Sequence, residues 1–175
     1  MEGFERSMEA QRERARAAGA KDAEAAWSTY GGIHADLLKE FGPTTFVGYD
    51  QETVESKIIA IVRDGERIES ASAGDAVEVL LDVTPFYAEM GGEVGDTGVM
   101  FNASARACVS DTKAPEAGLH VHHVQVGEGT FKVGDVVTAT VDDRLRAGIQ
   151  RNHTATHILH AALRQVLGDH VKQAG

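Results

Sequence analysis

Thr53-Val54-Glu55-Ser56-Lys57-Ile58-Ile59-Ala60-Ile61-Val62, then Asp64-Gly65, then Arg67-Ile68-Glu69-Ser70-Ala71, is the stretch that decides the fold. Its first run is rich in β-branched residues. Asp-Gly is a favoured two-residue hairpin turn, so the second run returns beside the first. Gly74-Asp75 then turns the chain into another strand, Ala76–Val83. Further strand-like runs at 98–101, 103–110, 119–126 and 136–141 are set apart by Gly, Asn, Asp or Pro, and Gly134-Asp135 marks the last turn. About seven short strands at that spacing predict a small closed barrel over residues 45–142.

Helical patterns flank the barrel, so the fold class expected is mainly β with flanking helices. Residues 4–18 are strong helix formers with a thin apolar stripe at Phe4, Met8, Gln11 and Ala15, and Gly19 is a plausible stop. Glu5 with Glu9, and Arg12 with Arg16, stand at like-charge i,i+4 spacing, so this helix is not built to stand alone. Its arginines suit a solvated face, with phosphate contact as the alternative. A second helix is predicted over 21–29, ending near Trp27, and a third over 33–40 with Ile33, Leu37 and Leu38. Phe41-Gly42-Pro43 closes this part, and residues 1–44 together suggest a tail or adaptor.

Composition narrows the classes. The 175 residues are 42% hydrophobic and 25% charged, ordinary for a globular protein. The lone cysteine, Cys108, excludes an internal disulfide framework and fits a reducing cytoplasm. No apolar run approaches a membrane span. A formal charge of -10 speaks against a generic nucleic-acid binder, and hence against DNA, though not against contact through a local basic strip.

Past the barrel, Asp142-Asp143 caps a helix expected over 143–150 that carries Arg144 and Arg146. Asn152 is a reasonable cap for a second helix, Arg151-Asn152-His153-Thr154-Ala155-Thr156-His157-Ile158-Leu159-His160 and onward. Positions four apart share a helix face, so His153 and His157 can aim at one point, as two ligands of a zinc ion would. The alternative is a helix whose histidines are satisfied by packing. Position 154 is Thr, which excludes the H-E-x-x-H of a metalloprotease. On the strand before, His120 and His122 alternate to one face and His123 to the other, offering a second zinc arrangement or ordinary surface histidines.

The loop Thr84–Gly98 is too rich in glycine for a simple hairpin, and its glycines allow close backbone approach. A wide turn with bulges at the barrel mouth is the plainer account. It does not match a phosphate-binding G-x-x-x-x-G-K-[ST]. Glu89, Glu93 and Asp96 could hold a metal or a ribose hydroxyl, or be solvated.

Taken together, two of these stretches carry a specific likeness. Phe86-Tyr87-Ala88-Glu89-Met90-Gly91-Gly92-Glu93-Val94-Gly95-Asp96-Thr97-Gly98 resembles the glycine-rich signature of the alanyl-tRNA synthetase family. Arg151–His160 resembles the H-x-x-x-H motif that opens that family's editing domain, and the helix of residues 3–16 resembles the segment joining the aminoacylation half to the editing half. The resemblance implies a cytoplasmic parent that charges tRNA(Ala) with alanine, using ATP and magnesium in a catalytic domain ahead of residue 1. It also implies an editing domain that hydrolyses seryl- and glycyl-tRNA(Ala). Residues 1–44 would be the connector, 45–142 a translation-factor-like barrel that seats tRNA, and 143–175 the start of the editing domain.

In that family the editing zinc takes two further ligands, a Cys and a His, from well downstream. His153 and His157 would then be half of the metal site, and zinc binding by this chain is expected to be weak. Gln173 matches a glutamine of the editing pocket, and Gly91, Gly92 and Glu93 would lie near it. The sequence departs from the family at Glu93, usually Gln, and at Met90, usually small. Bound zinc could polarise an ester carbonyl, lower the pKa of a water towards ~7, or position the substrate. The expected function is therefore a section of an alanine–tRNA ligase, inactive alone. The alternatives are a free-standing trans-editing hydrolase and a non-catalytic barrel that binds tRNA or a partner.

Overall fold

A computed structural model describes residues 32–89, 94–168 and 170–171, without the side chains of residues 150 and 153. Helix α1 spans 32–41. Eleven strands follow: β1 (Thr45–Phe46), β2 (Thr53–Arg63), β3 (Glu66–Ile68), β4 (Ser70–Ser72), β5 (Ala76–Leu81), β6 (Val83–Thr84), β7 (Gly98–Phe101), β8 (Arg106–Lys113), β9 (Val121–Glu128), β10 (Thr130–Lys132) and β11 (Val136–Val141). Helix α2 spans Asp143–Leu167. The expected helices over 4–18 and 21–29 lie outside the described residues.

Strand order is β11-β7-β8-β9-β5-β2, and β11 also pairs with β2, which closes six strands into a barrel. All of these pairings are antiparallel. The Asp64-Gly65 turn forms as expected. Both residues have positive φ, 52° and 80°, as the tight hairpin between β2 and β3 requires.

Period-two alternation sorts the side chains between two cores. Ile58 and Ile61 of β2, Val77, Val79 and Leu81 of β5, and Val137, Ala139 and Val141 of β11 join a cluster drawn from all six barrel strands, so it fills the interior. The small β4–β10 ribbon brings Ala71 opposite Phe131 into that cluster at one end. Phe86 enters it at the other, where β11 leads into α2. The outward-facing Ala60, Val62, Leu80 and Val121 instead pack beneath Leu37 of α1. His34 fastens α1 from its side, its Nε2 lying 2.8 Å from a Glu78 carboxylate oxygen on β5.

Four expectations need correction. The runs at 103–110 and 119–126 lie further along, as β8 and β9, and their pairing carries register shifts. The return stretch 67–71 splits into β3 and β4, and 76–83 splits into β5 and β6, because β6 leaves the barrel to pair in parallel with β1. Most consequential, the two helices expected after residue 143 are one continuous helix.

Candidate functional site

Helix α2 begins at Asp142, whose carboxylate accepts hydrogen bonds from the backbone N–H groups of Arg144 and Leu145, both at 3.1 Å. Asp143 adds negative charge to the first turn, where the helix dipole favours it. The helix then runs 25 residues to Leu167, and the Gly168 N–H closes its last turn on the Arg164 carbonyl. Asn152 is not a cap. It lies mid-helix, and its carbonyl accepts a hydrogen bond from the Thr156 hydroxyl at 2.9 Å. A mid-helix asparagine costs only about 0.7 kcal/mol relative to alanine, too little to break a helix whose ends are secured. His153 and His157 are thus one turn apart on one unbroken helix, on a shared face.

One side chain fixes this helix to the barrel. Arg146 Nε donates to Asp96 Oδ2 at 3.0 Å and Nη1 donates to the Gly48 carbonyl at 2.9 Å. Nη2 donates to the same Asp96 oxygen and to the Pro85 carbonyl. Asp96 Oδ2 also accepts the Tyr87 N–H at 2.6 Å. Guanidinium and carboxylate are nearly buried, at 11% and 5% exposure. A buried pair of this kind contributes little net stability, but removing one partner strands the other and costs about 3–5 kcal/mol.

This pairing settles part of the glycine-rich loop. Asp96 serves the Arg146 clamp, and Glu89 lies 4.0 Å from Lys113 with both side chains half exposed. A Cβ on Gly95 would come within 2.1 Å of the Thr112 carbonyl oxygen, and one on Gly98 within 2.1 Å of the Thr140 carbonyl oxygen. Those two glycines are there for close packing against β8 and β11. Met90, Gly91, Gly92 and Glu93 lie outside the described residues, as does Gln173.

The strand histidines do not form a second metal site. His122 is fully buried, with Nδ1 2.8 Å from the Val79 carbonyl and Nε2 2.8 Å from the Thr84 hydroxyl. A carbonyl only accepts, so Nδ1 carries the proton and Nε2 accepts from Thr84, whose oxygen accepts the Phe86 N–H in turn. No lone pair is left for a metal. Burial is the main cause pushing the His122 pKa down to about 4; the Val79 hydrogen bond opposes it and His120 and His123 add to it. His120 precedes β9 and stacks on Phe46 with ring centroids 5.5 Å apart; burial lowers its pKa too. His160 Nε2 turns back towards the Val171 carbonyl at 3.4 Å.

Zinc fits this chain only in part. The helix offers two imidazole positions at ligand spacing, but among the described residues no three His, Cys, Asp or Glu side chains converge. Nor is any helix among the described residues long and apolar enough to cross a membrane. The Arg146 clamp escaped the sequence reading because nothing in the sequence links an arginine to an aspartate 50 residues before it.

Comparison with known proteins gives these features a context. The family model for tRNA synthetases class II (A) matches residues 1–145. An alanine–tRNA ligase of Bacillus velezensis is 47% identical over 173 residues, which is 99% of this chain and 19% of that protein. One from Rhizobium meliloti is 46% identical over 174 residues, and one from Myxococcus xanthus is 52% identical over 149 residues. The chain spans about a fifth of the length of these curated relatives.

Proposed function

The chain belongs to the class II (A) tRNA synthetase family, and from that premise we propose that it is a section of an alanine–tRNA ligase. The whole enzyme would join alanine to tRNA(Ala) with ATP and hydrolyse seryl- and glycyl-tRNA(Ala) made in error. This section would supply the barrel that seats tRNA and the helix that opens the hydrolytic site, and would have no turnover alone. Residues 1–44 would connect it to the aminoacylation half, 45–142 would be the barrel and 143–175 the start of the editing domain. The observation that carries the proposal is identity near 47% across 99% of the chain to proteins of that name.

The need for a second site is physical. A pocket shaped for a methyl side chain rejects one that adds a hydroxyl by only about a hundredfold. In the proposed site His153 and His157, as neutral imidazoles, would hold a zinc ion whose other ligands come from elsewhere in the enzyme. When bound, zinc supplies Lewis acidity at the ester. Gln173, Gly91, Gly92 and Glu93 would shape the pocket around the aminoacyl group. Arg144 and Arg151, seven apart and exposed on α2, give an acidic chain one local strip suited to phosphate. Ile158, Leu159, Val166 and Leu167 are all more than half exposed, as suits a helix whose apolar face is covered in a longer protein.

The test is to assay the full reading frame and residues 1–175 side by side. The full enzyme should charge tRNA(Ala) and deacylate seryl-tRNA(Ala), and its His157→Ala variant should lose only deacylation. Residues 1–175 should do neither. Deacylation by residues 1–175 would instead identify a trans-editing hydrolase. Tight tRNA binding without either activity in the full frame would identify a binding module.

A further inference from the structure

We infer that Arg146, clamped by Asp96, is a positioning residue for the hydrolytic site, setting the rotation and tilt of α2 that aim His153 and His157. The inference rests on the alanine–tRNA ligase reading and deepens it. Three groups take four hydrogen bonds from one guanidinium: the Asp96 carboxylate from two nitrogens, and the carbonyls of Gly48 and Pro85. They come from three segments of the barrel mouth. Asp96 is itself immobilised, since its N–H donates to the Tyr87 carbonyl and its own carbonyl accepts the Thr112 hydroxyl, both at 2.9 Å. A planar guanidinium can satisfy these directions at once, whereas an ammonium on a flexible stem cannot.

The clamp sits at one end of a rigid rod. Positions 154–159 and 161–167 are all exposed, so among the described residues the barrel grips α2 through its first turns. His153 and His157 follow Arg146 by seven and eleven residues, which places them about 10 and 16 Å along the axis and within about 20° of its direction around the helix. The histidine face is therefore the face that Arg146 presents to the glycine-rich segment through Asp96. A tilt of about 10° at the clamp would move position 157 by roughly 3 Å, where misplacement by about 1 Å can cost a hundredfold in rate. Asp96 thus ties the described end of the glycine-rich loop, residues 94–98, to the helix carrying the histidines.

The experiment uses the full-length ligase and seryl-tRNA(Ala), with rates taken per mole of folded enzyme. Arg146→Lys and Asp96→Asn should each lower the deacylation kcat about tenfold or more while KM stays within about twofold, and the double variant should be no worse than the worse single. Gln165→Ala, exposed near the far end of α2, serves as the control and should behave as wild type. A loss of folded protein alone would not lower kcat on this basis. If the single variants do not fold, Arg146→Gln with Asp96→Asn removes both charges together, leaves no lone buried ion, and should show the same fall in kcat. Wild-type kcat in the folded variants, with His157→Ala inactive in deacylation, overturns the inference and leaves the ligase reading standing. Wild-type deacylation by His157→Ala overturns the editing reading beneath it.

Discussion

Acid should loosen the barrel through one buried ring. His122 is folded as the neutral Nδ1–H tautomer, and its pKa falls from an ordinary 6.5 to about 4. A depressed histidine pKa means the unfolded chain binds more protons than the folded one between those two values. The stability it contributes is fully present above 6.5 and is lost as pH falls towards 4. Integrating the linkage from pH 7 to pH 5 gives a loss of about 2 kcal/mol from this residue alone. With a urea slope of about 1.5 kcal/mol/M, the midpoint should fall by a little over 1 M on that account. The measurement is urea unfolding of residues 1–175 at pH 7 and pH 5 by far-UV circular dichroism, for wild type and His122→Asn. Asparagine can still donate to the Val79 carbonyl but does not titrate. The variant will be less stable at pH 7, yet its further loss at pH 5 should be smaller by that 2 kcal/mol or so. Equal losses in the two proteins would refute the assignment of a neutral, fully desolvated His122.

Four other perturbations test separate parts of the structure. Gly98→Ala places a methyl group against the Thr140 carbonyl and should destabilise the barrel by about 1–3 kcal/mol in thermal unfolding. Gly134→Ala meets open space, so its cost should come only from its φ of 93° and be near 1 kcal/mol. Asp142→Ala removes the cap of α2 and should cost about 1 kcal/mol, read as lost helical signal and faster amide exchange in the first turn. Titration of residues 1–175 with zinc should show weak, substoichiometric binding, because two imidazoles supply half of a tetrahedral set of about four ligands. Tight one-to-one binding would show that this chain completes the site by itself.

Local chemistry was legible where it was decisive. Asp64-Gly65 announced its hairpin because few residue pairs accept two positive φ angles in succession, and Asp142 announced the helix that it caps. The β-branched runs likewise announced β2, β5 and β11 as strands. Pattern alone did not give the ends of β8 and β9, since period two fixes which side chains point inward and not where pairing starts or slips. Asn152 misled for a related reason: a cap preference is weaker than the cooperativity of a helix already nucleated on both sides. The Arg146–Asp96 clamp and the parallel β1–β6 pair join positions tens of residues apart through geometry that only the closed barrel creates. His122 looked like a metal ligand by spacing, and only its two hydrogen-bond partners show otherwise.

The β2–β11 pairing has a consequence for how the chain is made. Lys57 meets Val136 and Thr53 meets Thr140, so the first long strand of the barrel is completed by its last. On the ribosome, β2 can zip together early with β3 and β5, but its edge over Thr53–Lys57 has no β11 to pair with until that strand has emerged. Closure is therefore a late and non-local step, the slow kind in barrels of high contact order. Until then a long β-branched strand is open to other chains, and a ribosome that pauses between β9 and β11 leaves the nascent protein at its most adhesive.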